Sequence, residues 1–336
     1  MGGWQTGRMA RTALFIGGTG VISAACVLQA VGRGWRVSVL NRGQTAIRPL
    51  PSGVEVLRGD AHQPSEVAEL VGGRHFDVVA QFVAFRPEQV TADIELFAGA
   101  CDQYMFISSA SAYAKPVRFL PITESTPLSN PVWEYSRDKI ACEELLGQAF
   151  RHAGFPVTIV RPSHTYDRTS IPLIGGWTAV RRLVAGRPVV VPGDGTSLWT
   201  LTHARDLATG FVGIMGRRAA IGEAFHITSD ECLSWDEITR TVAEIAGVSA
   251  SIVHVTSQEI AAHDADFGAG LLGDKSHSLV FDNSKIRRLV PDYVCHTSLA
   301  DGAAEALDWY ASHADQVPYD QHVEELFDDL VAAHQV

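Results

Sequence analysis

The sequence has few of the features that mark a secreted, membrane-spanning or metal-binding protein. Its 336 residues include only five cysteines, which are scattered without a Cys-x-x-Cys pair. This spacing indicates reduced thiols and argues against a disulfide framework or a zinc site, so no metal is expected. No apolar run approaches the roughly 20 residues that a membrane-spanning helix needs, so no membrane association is expected.

Positive charge is also in short supply. The chain has 27 Lys and Arg against 38 Asp and Glu, which gives a net charge of −11. An acidic surface does not suit a phosphate backbone, so nucleic acid is not expected as a partner. We expect a cytoplasmic protein that acts on a small molecule. Residues 1–11 lack the apolar segment of a signal peptide and are predicted to form a disordered leader.

Short apolar strands alternate with amphipathic helices through residue 160. Strands are predicted at 12–16, 36–40, 54–57, 76–83, 104–108 and 157–160, and helices at 21–31, 65–71, 87–101 and 133–152. Apolar strands without polar alternation are typical of a parallel sheet that is covered on both faces. The pattern therefore predicts an α/β fold with a Rossmann-type, doubly wound parallel sheet.

The rhythm loosens after Pro162. Helices are predicted at 177–185, 206–215, 235–246, 299–313 and 321–333, and strands at 188–191, 225–227 and 252–255. We expect an NAD(P)-binding Rossmann domain at 12–165. Residues 166–336 are expected to form mainly a smaller, C-terminal substrate-binding lobe, with some elements returning to the sheet.

A glycine-rich turn follows the first predicted strand. Gly17, Gly20 and Ser23 form a G-x-x-G-x-x-S pattern that opens the first helix. Such a turn brings the backbone close to a pyrophosphate, which then faces the free N–H groups and positive dipole end of the helix. Ser at the third position is small enough for close helix–strand packing. An ordinary strand–turn–helix junction remains the alternative.

The end of the second strand selects between cofactors. An acidic residue there would bind the ribose 2′-hydroxyl and repel a 2′-phosphate, but this chain has Asn41 and Arg42. Arg42 offers a planar cation to a phosphate, so NADP is favoured over NAD, although Arg42 could instead be a solvated loop charge. Asp60, after the third strand, is placed to reach the adenine amine.

Tyr135 and Lys139 are four residues apart on a predicted helix and therefore share one face. A lysine cation near a phenol favours the phenolate, so we expect Lys139 to lower the pKa of Tyr135. Tyr135 could then move a proton while a nicotinamide moves a hydride. The serine-rich segment 108–113 leaves the fifth strand at the carboxyl edge of the sheet, where open α/β folds bind ligands.

In this order, the Gly17–Ser23 turn, the 108–113 segment, Tyr135-x-x-x-Lys139 and Arg161-Pro162-Ser163 resemble the extended short-chain dehydrogenase/reductase family. Within that family the chain is most similar to the NAD-dependent epimerase/dehydratase branch, typified by UDP-galactose 4-epimerase. The resemblance runs from about Ala13 to about Trp309. It implies a homodimer by analogy with the family.

The resemblance also implies residue roles. Ser109, Tyr135 and Lys139 are the implied catalytic residues, and Lys139 also holds the nicotinamide ribose. Residues implied or expected to contact the cofactor are Gly17, Gly20, Val21, Ile22, Asn41, Arg42, Asp60, Ala61, Phe82, Val83, Ala84, Ser108, Tyr135, Lys139, Pro162 and Ser163. Residues expected to contact substrate are Arg86, Ser111, His164 and Trp199.

Two departures from the family pattern narrow the function. Family dehydratases carry an Asp-Glu pair beside the catalytic hydroxyl, whereas Ala110 and Ser111 follow Ser109, so dehydration is not expected. The family also places an arginine for a sugar-nucleotide diphosphate where this chain has Trp199. Losing that cation would remove a charge-assisted bond worth roughly 1.5–3 kcal/mol, which puts a sugar nucleotide in doubt.

Three functions remain open. The first is an NAD(P)-dependent epimerase that acts on a sugar or sugar nucleotide through a transient keto intermediate. The second is a reductase or dehydrogenase of a small carbonyl or alcohol metabolite, with freely exchanging cofactor. The third is a non-catalytic NADP-binding module. The same fold can carry all three, so the site must decide between them.

Overall fold

A computed structural model describes residues 10–44, 47–317 and 319–334. The predicted leader lies outside the described residues except for residues 10 and 11. The Arg11 carbonyl accepts a hydrogen bond from the Arg36 N–H, so this end of the leader is tied to the sheet. None of the helices in the described ranges combines the length and the apolar character needed to cross a bilayer.

The molecule contains a central sheet and several two-stranded sheets. The strands are β1 Thr12–Ile16, β2 Arg36–Asn41, β3 Glu55–Arg58, β4 Val78–Gln81, β5 Tyr104–Ile107, β6 Val157–Arg161, β7 His164–Tyr166, β8 Val189–Pro192, β9 Leu198–Trp199, β10 Leu201–His203, β11 Ala224–His226, β12 Leu233–Ser234 and β13 Ile252–Val255. The central sheet is parallel and has the order β11-β6-β5-β4-β1-β2-β3. This order reverses beside β1, as in a doubly wound fold.

The helices are α1 Val21–Gly32, α2 Pro64–Val71, α3 Pro87–Phe97, α4 Glu134–Ala153, α5 Gly176–Val184, α6 Ala204–Ile214, α7 Trp235–Ile245, α8 Ser257–His263, α9 Ala265–Gly270, α10 Ser284–Leu289, α11 Leu299–His313 and α12 Gln321–His334. A π-helical turn at Leu271–Lys275 follows α9 directly. Short 3₁₀ turns occur at Ala110–Ala112, Arg218–Ala220 and Ala314–Gln316.

Both faces of the central sheet are buried except at the largely exposed edge strand β3, as the unbroken apolar strands predict. On one face, Phe15 and Val39 pack with Val27 of α1 and Phe211 of α6. On the other face, strand residues such as Leu14 pack with side chains of α2, α3 and α4. Alternate residues of β1 thus serve two separate cores, which confirms the predicted α/β class.

The second half of the chain builds a lobe above the carboxyl edge of the sheet. Three two-stranded sheets belong to it, namely β7 with β10, β8 with β13 and β9 with β12. Its core includes the stacked rings of Trp199 and Trp235, whose centroids are 5.3 Å apart. Some elements of this half instead join the first half of the chain, because β11 pairs with β6, α6 packs against α1, and Ile286 of α10 belongs to the same core.

Element bounds differ from the predictions mainly at their ends. The strand predicted at 76–83 is limited to Val78–Gln81, since Phe76 makes only an isolated bridge. The helix predicted at 87–101 ends at Phe97, just before Gly99, whose φ of +73° breaks the helix. Short elements with little periodicity, such as β7, α9 and the π-helical turn, were not predicted from the sequence.

Candidate active site

The glycine-rich turn lies where β1 meets α1, at the carboxyl edge of the sheet. Gly17 has a φ of +85°, and a Cβ there would lie 2.4 Å from Cγ1 of Val83. Gly20 caps α1, and its N–H donates to Oγ of the buried Ser23 over 2.8 Å. Ser23 therefore braces the turn from inside the helix. The next N–H groups of α1 have no intrahelical partner and suit a phosphate.

A crevice of about 510 Å³ runs across this edge. Of the predicted cofactor residues, it is lined by Gly17, Gly20, Val21, Ile22, Asn41, Arg42, Asp60, Ala61, Phe82 and Val83. Its volume lies within the range of cofactor pockets. The glycine cradle, the free helix N–H groups and the crevice together fit a dinucleotide.

Cationic side chains lie near the end of β2. This strand contains no acidic residue. Asn41 Oδ1 accepts from the Gly43 N–H over 2.9 Å, which fixes the turn. The exposed Arg42 lines the crevice and has no hydrogen bond or ion pair within the described ranges. Arg58 is the β3 partner of Asn41, and its Nε would lie 3.6 Å from a Cβ on Gly43.

The crevice is also lined by Arg48, which was not predicted from the sequence. Arg48 Nε donates to Oδ2 of Asp167 over 2.7 Å, and its Nη2 donates to Oδ1 over 3.2 Å. This ion pair joins the segment after β2 to the segment after β7, and Arg48 lines the crevice. No short motif announces it, because the two residues are far apart in sequence.

A chain of hydroxyl groups orients Ser109. Ser136 Oγ donates to Ser111 Oγ over 2.7 Å, and Ser111 Oγ lies 2.8 Å from Ser109 Oγ. The Ser111 N–H also donates to Ser109 Oγ over 3.1 Å. Because Ser111 accepts from Ser136, its own proton is free for Ser109, and Ser109 is left as a donor toward a ligand oxygen.

Lys139 is buried and positioned by two carbonyls. Its Nζ donates to the Ala84 carbonyl over 2.8 Å and to the Ile107 carbonyl over 2.7 Å, at the ends of β4 and β5. An ammonium has three donors, so one remains for a ligand. Burial lowers the pKa of Lys139 to about 8.

The expected lowering of the Tyr135 pKa is wrong for this arrangement. Burial raises the pKa of the Tyr135 phenol, while its interaction with the Ser109 hydroxyl acts in the opposite direction. The Lys139 ammonium lies 5.9 Å from the centre of the Tyr135 ring and is bonded to carbonyls instead. Desolvation therefore outweighs the cation, and the phenol keeps its proton at neutral pH.

A second cavity of about 270 Å³ adjoins the crevice, and Thr165 lines both. Of the residues predicted to act in catalysis or to contact cofactor or substrate, it is lined by Ser109, Ser111, Tyr135, Pro162, Ser163, His164 and Trp199. Ser111 lines it with its hydroxyl already engaged by Ser109 and Ser136, so its expected substrate contact becomes support for Ser109. We call this second space the substrate cavity.

His164 presents a defined tautomer to the substrate cavity. Trp199 Nε1 donates to His164 Nδ1 over 3.3 Å, so the ring proton of neutral His164 is on Nε2. Burial lowers the pKa of His164 to about 3, and the nearby Lys275 cation acts in the same direction. His164 is therefore a neutral hydrogen-bond donor.

Some predicted residues lie outside both cavities. Ala84 is buried, and its carbonyl serves Lys139 instead of a ligand. Ser108 is buried, and its hydroxyl has no hydrogen-bond partner within the described part of the chain. Arg86 is the exposed N-cap residue of α3, which begins at Pro87. Lys139 lines neither cavity, but it donates a hydrogen bond to the carbonyl of Ile107, which lines the crevice.

The substrate cavity also has lining residues that were not predicted, namely Ala110, Trp133, Thr165, Asp274, Lys275 and Leu279. Asp274 and Lys275 belong to the π-helical turn, and the local sequence carries no motif that marks it. The local sequence signals these residues only through the two charges, Asp274 and Lys275, in a stretch rich in Gly and Leu. As a whole, the site offers a phenol, an oriented hydroxyl and an ammonium beside a dinucleotide crevice.

The model of the NAD dependent epimerase/dehydratase family matches residues 13–228. The chain belongs to this family. This membership, together with the parallel sheet, confirms the resemblance inferred from the motifs. The chain is thus an NAD-dependent enzyme of the oxidoreductase and epimerase type, in the extended short-chain dehydrogenase/reductase group.

Curated relatives of this family member differ in their activities. A 2′-dehydrokanamycin reductase of Streptomyces kanamyceticus is 28% identical over 83% of this chain and 79% of the relative. A chloroplast stem-loop binding protein of 41 kDa from Arabidopsis thaliana is 29% identical over 76% of this chain and 67% of the relative. Family membership alone therefore leaves the activity open.

Solved structures of epimerases share the fold. An epimerase from Methanothermobacter thermautotrophicus has a TM-score of 0.76, with 18% identity over 91% of this chain and 94% of that chain. At this identity the likeness establishes the fold and no specific substrate.

Proposed function

We propose that this chain is an NADP-dependent oxidoreductase that interconverts a ketone and a secondary alcohol on a sugar-sized substrate. The observation that carries the proposal is the substrate cavity itself, which holds Ser109 and Tyr135 and shares Thr165 with the dinucleotide crevice. A ring placed there meets both hydroxyl groups beside the cofactor.

In the reducing direction, each protein group has a defined task. Ser109 donates a hydrogen bond to the carbonyl oxygen, and Tyr135 gives that oxygen a proton as it becomes an alcohol. The remaining donor of Lys139 holds the nicotinamide ribose, the role implied for it by the family. When bound, the nicotinamide supplies the hydride. The raised pKa of Tyr135 suits this direction, because the phenol starts protonated.

The charges around the crevice support NADP over NAD. Arg42 is exposed and lines the crevice, and Arg58 approaches the same turn. Two guanidinium groups without a carboxylate on the end of β2 suit a 2′-phosphate. NADP in turn suits net reduction.

The size of the substrate cavity and the residue at position 199 argue against a sugar nucleotide. Its 270 Å³ is below the roughly 300–1,000 Å³ of pockets that enclose larger ligands. Trp199 is buried and stacked on Trp235, where the family places an arginine for the diphosphate. The relative named for reduction of 2′-dehydrokanamycin also supports a carbonyl reductase.

The competing function is epimerisation, which uses the same residues but returns the hydride to its substrate. The purified protein should lose its cofactor on gel filtration and then consume added NADPH steadily with keto sugars. Retained cofactor, together with interconversion of sugar epimers and no net change at the nicotinamide absorbance band, would establish epimerisation and reject the proposal.

Cofactor choice is tested separately with Arg42→Ala. The variant should bind NADPH roughly 10–100-fold more weakly, because a charge-assisted bond is worth about 1.5–3 kcal/mol, and should bind NADH unchanged. Arg33→Ala, another exposed arginine away from both cavities, is the control. Equal loss of NADH and NADPH affinity, or no loss at all, would contradict the assignment.

A further inference from the structure

Lys275 is a charged residue of the substrate cavity that none of the proposed steps uses. It lines the cavity together with Tyr135, His164 and Trp199. The π-helical turn Leu271–Lys275 places it there, directly after α9. Turns of this kind are rare and often occur at functional sites, since the widened turn moves side chains out of ordinary helical register.

The neighbouring charges of the cavity cancel one another. Asp274 Oδ1 lies 3.3 Å from Lys115 Nζ, and both side chains are almost fully buried. Asp274 is therefore matched by Lys115. His164 is neutral, as its tautomer and lowered pKa indicate. The positive charge of Lys275 is thus left without a counter-charge in the lining.

The Lys275 ammonium also lacks a polar partner. Across residues 10–44, 47–317 and 319–334, its Nζ makes no hydrogen bond or ion pair. Its contact is with the Trp133 ring, whose centroid is 5.3 Å from Nζ. A partly desolvated ammonium over an aromatic face retains unused donors.

We propose that Lys275 is a specificity residue that pairs with one anionic substituent, a carboxylate or a phosphate monoester, on the sugar-sized substrate. The inference rests on the proposed function, since it concerns the substrate of the same cavity. The anion binds between Lys275 and the His164 Nε2–H donor. Trp133 and Trp199 provide apolar faces for the ring that carries it.

An anion fits this cavity better than a cationic or neutral group. A cationic substituent would face the uncompensated ammonium in a partly desolvated space. A neutral hydroxyl would leave the charge unmatched. Burial lowers the pKa of Lys275, while Asp274 acts to raise it. An anion paired with Nζ would further favour the charged form.

The test measures binding by the full chain saturated with NADPH, with tryptophan fluorescence as the readout because Trp133 and Trp199 line the cavity. The probes are glucuronate, its neutral amide glucuronamide, and glucose 6-phosphate. We expect the wild type to bind at least one of the two anions ten-fold or more tightly than glucuronamide. The preferred anion identifies the substituent.

Lys275→Met should remove the preference, because it keeps much of the side-chain length and deletes the charge. Lys275→Arg should keep part of it. Lys285→Met is the matched control, since Lys285 pairs with Glu223 away from the substrate cavity. The inference is overturned if neither anion binds better than the amide, or if Lys275→Met keeps the preference.

The results distinguish a failure of the Lys275 inference from a failure of the proposed reaction. An anion preference that disappears in Lys275→Met, without NADPH oxidation by any keto sugar, would support Lys275 and reject the oxidoreductase. Steady reduction of keto sugars, with neither anion bound better than the amide and with the KM for an anionic ketone unchanged in Lys275→Met, would support the oxidoreductase and reject Lys275. For an anionic substrate, Lys275→Met should raise KM ten-fold or more and change kcat little, as expected for uniform binding.

Discussion

Single residues of the site are prepared by hydrogen bonds from their neighbours. Ser109 becomes a donor because the N–H and the hydroxyl of Ser111 occupy its acceptor sites, and Ser136 in turn donates to Ser111. His164 becomes an Nε2–H donor because Trp199 bonds its Nδ1. In both cases a buried polar group fixes where a proton lies, which the one-letter sequence does not reveal.

The first residue-scale prediction concerns Tyr135. If the proposed reaction holds, Tyr135→Phe should lower kcat by roughly 100–10,000-fold, since a positioned proton donor contributes that much. The affinity for NADPH should not change. Tyr319→Phe serves as the control, because Tyr319 is exposed and lines neither cavity. A Tyr135→Phe variant with normal kcat would remove the phenol from the mechanism.

Reduction should also depend on pH through Tyr135. The pKa of the phenol is raised by burial, so the proton that reduction needs is present across neutral pH. The oxidising direction needs the phenolate and should accelerate as pH rises. Initial rates in both directions, measured between pH 6 and 10, should therefore slope oppositely at high pH.

Asp93 is a buried residue of α3 whose carboxyl group makes stability depend on pH. Its Oδ2 accepts from Tyr104 Oη over 2.6 Å and from Gln81 Nε2 over 2.7 Å. Burial raises the pKa of Asp93 to about 6, although both bonds act to lower it. The folded chain thus holds this proton more tightly than the unfolded chain, so stability falls as pH rises from about 4 to 6.

Asp93→Asn keeps an oxygen for both bonds and removes the buried charge. We expect it to raise the free energy of unfolding at pH 7 by about 1–3 kcal/mol, at 1.36 kcal/mol per pKa unit. For Asp77, burial acts to raise the pKa, but two bonds from Thr12 outweigh it and the pKa is lowered. Asp77→Asn should therefore destabilise at pH 7. Urea unfolding curves at pH 4 and 7 provide the comparison.

At the scale of elements, the glycine turn shows where sequence reasoning succeeds. The strand–turn–helix pattern from Thr12 to Gly32 has the predicted order, because apolar periodicity and glycine both act locally. The clash that a side chain at Gly17 would make with Val83 of the segment after β4 could not be read from the motif. That contact depends on strand order.

Gly17→Ala should weaken both folding and cofactor binding. The new Cβ would lie 2.4 Å from Cγ1 of Val83, at a φ of +85°. Gly34 has a similar φ of +80° with no neighbour within 4 Å of a Cβ, so Gly34→Ala isolates the backbone strain. We expect about 1 kcal/mol of destabilisation for Gly34→Ala and a larger loss for Gly17→Ala.

Thermal unfolding and NADPH titration of both variants give the answer. Affinity for NADPH should fall only in Gly17→Ala, because Gly34 lies at the far end of α1. Equal stability of the two variants would mean that Val83 moves aside without cost. The steric account of the turn would then be wrong.

At the scale of the whole molecule, a charge cluster joins the last helix to the lobe. Arg182 of α5 is only 2% exposed, and its Nη1 donates to Glu324 over 2.6 Å and to Asp328 over 2.8 Å. The more exposed Arg187 bonds the same two carboxylates. Arg182 and Arg187 thus hold α12 against the lobe core through two carboxylates that lie far from them in the sequence.

Arg182→Ala should cost about 3–5 kcal/mol, because it leaves the nearly buried Glu324 without its inner partner. Arg187→Ala should cost much less, since solvent screens that pair. Denaturant titration of the two variants measures the difference. Equal losses would show that the cluster acts as a surface network and not as a buried anchor.

The amino-acid sequence determined the local parts of this protein. It specified the alternation of strands and helices, the glycine turn and the Tyr135–Lys139 spacing, because periodicity and short-range sterics act within a few residues. Only the tertiary structure decided which groups meet. The Arg48–Asp167 pair, the Lys115–Asp274 pair and the place of Lys275 in the cavity arise from segments far apart in sequence. Burial depends on that packing too, and it raised the pKa of Tyr135 where the motif alone predicted a fall.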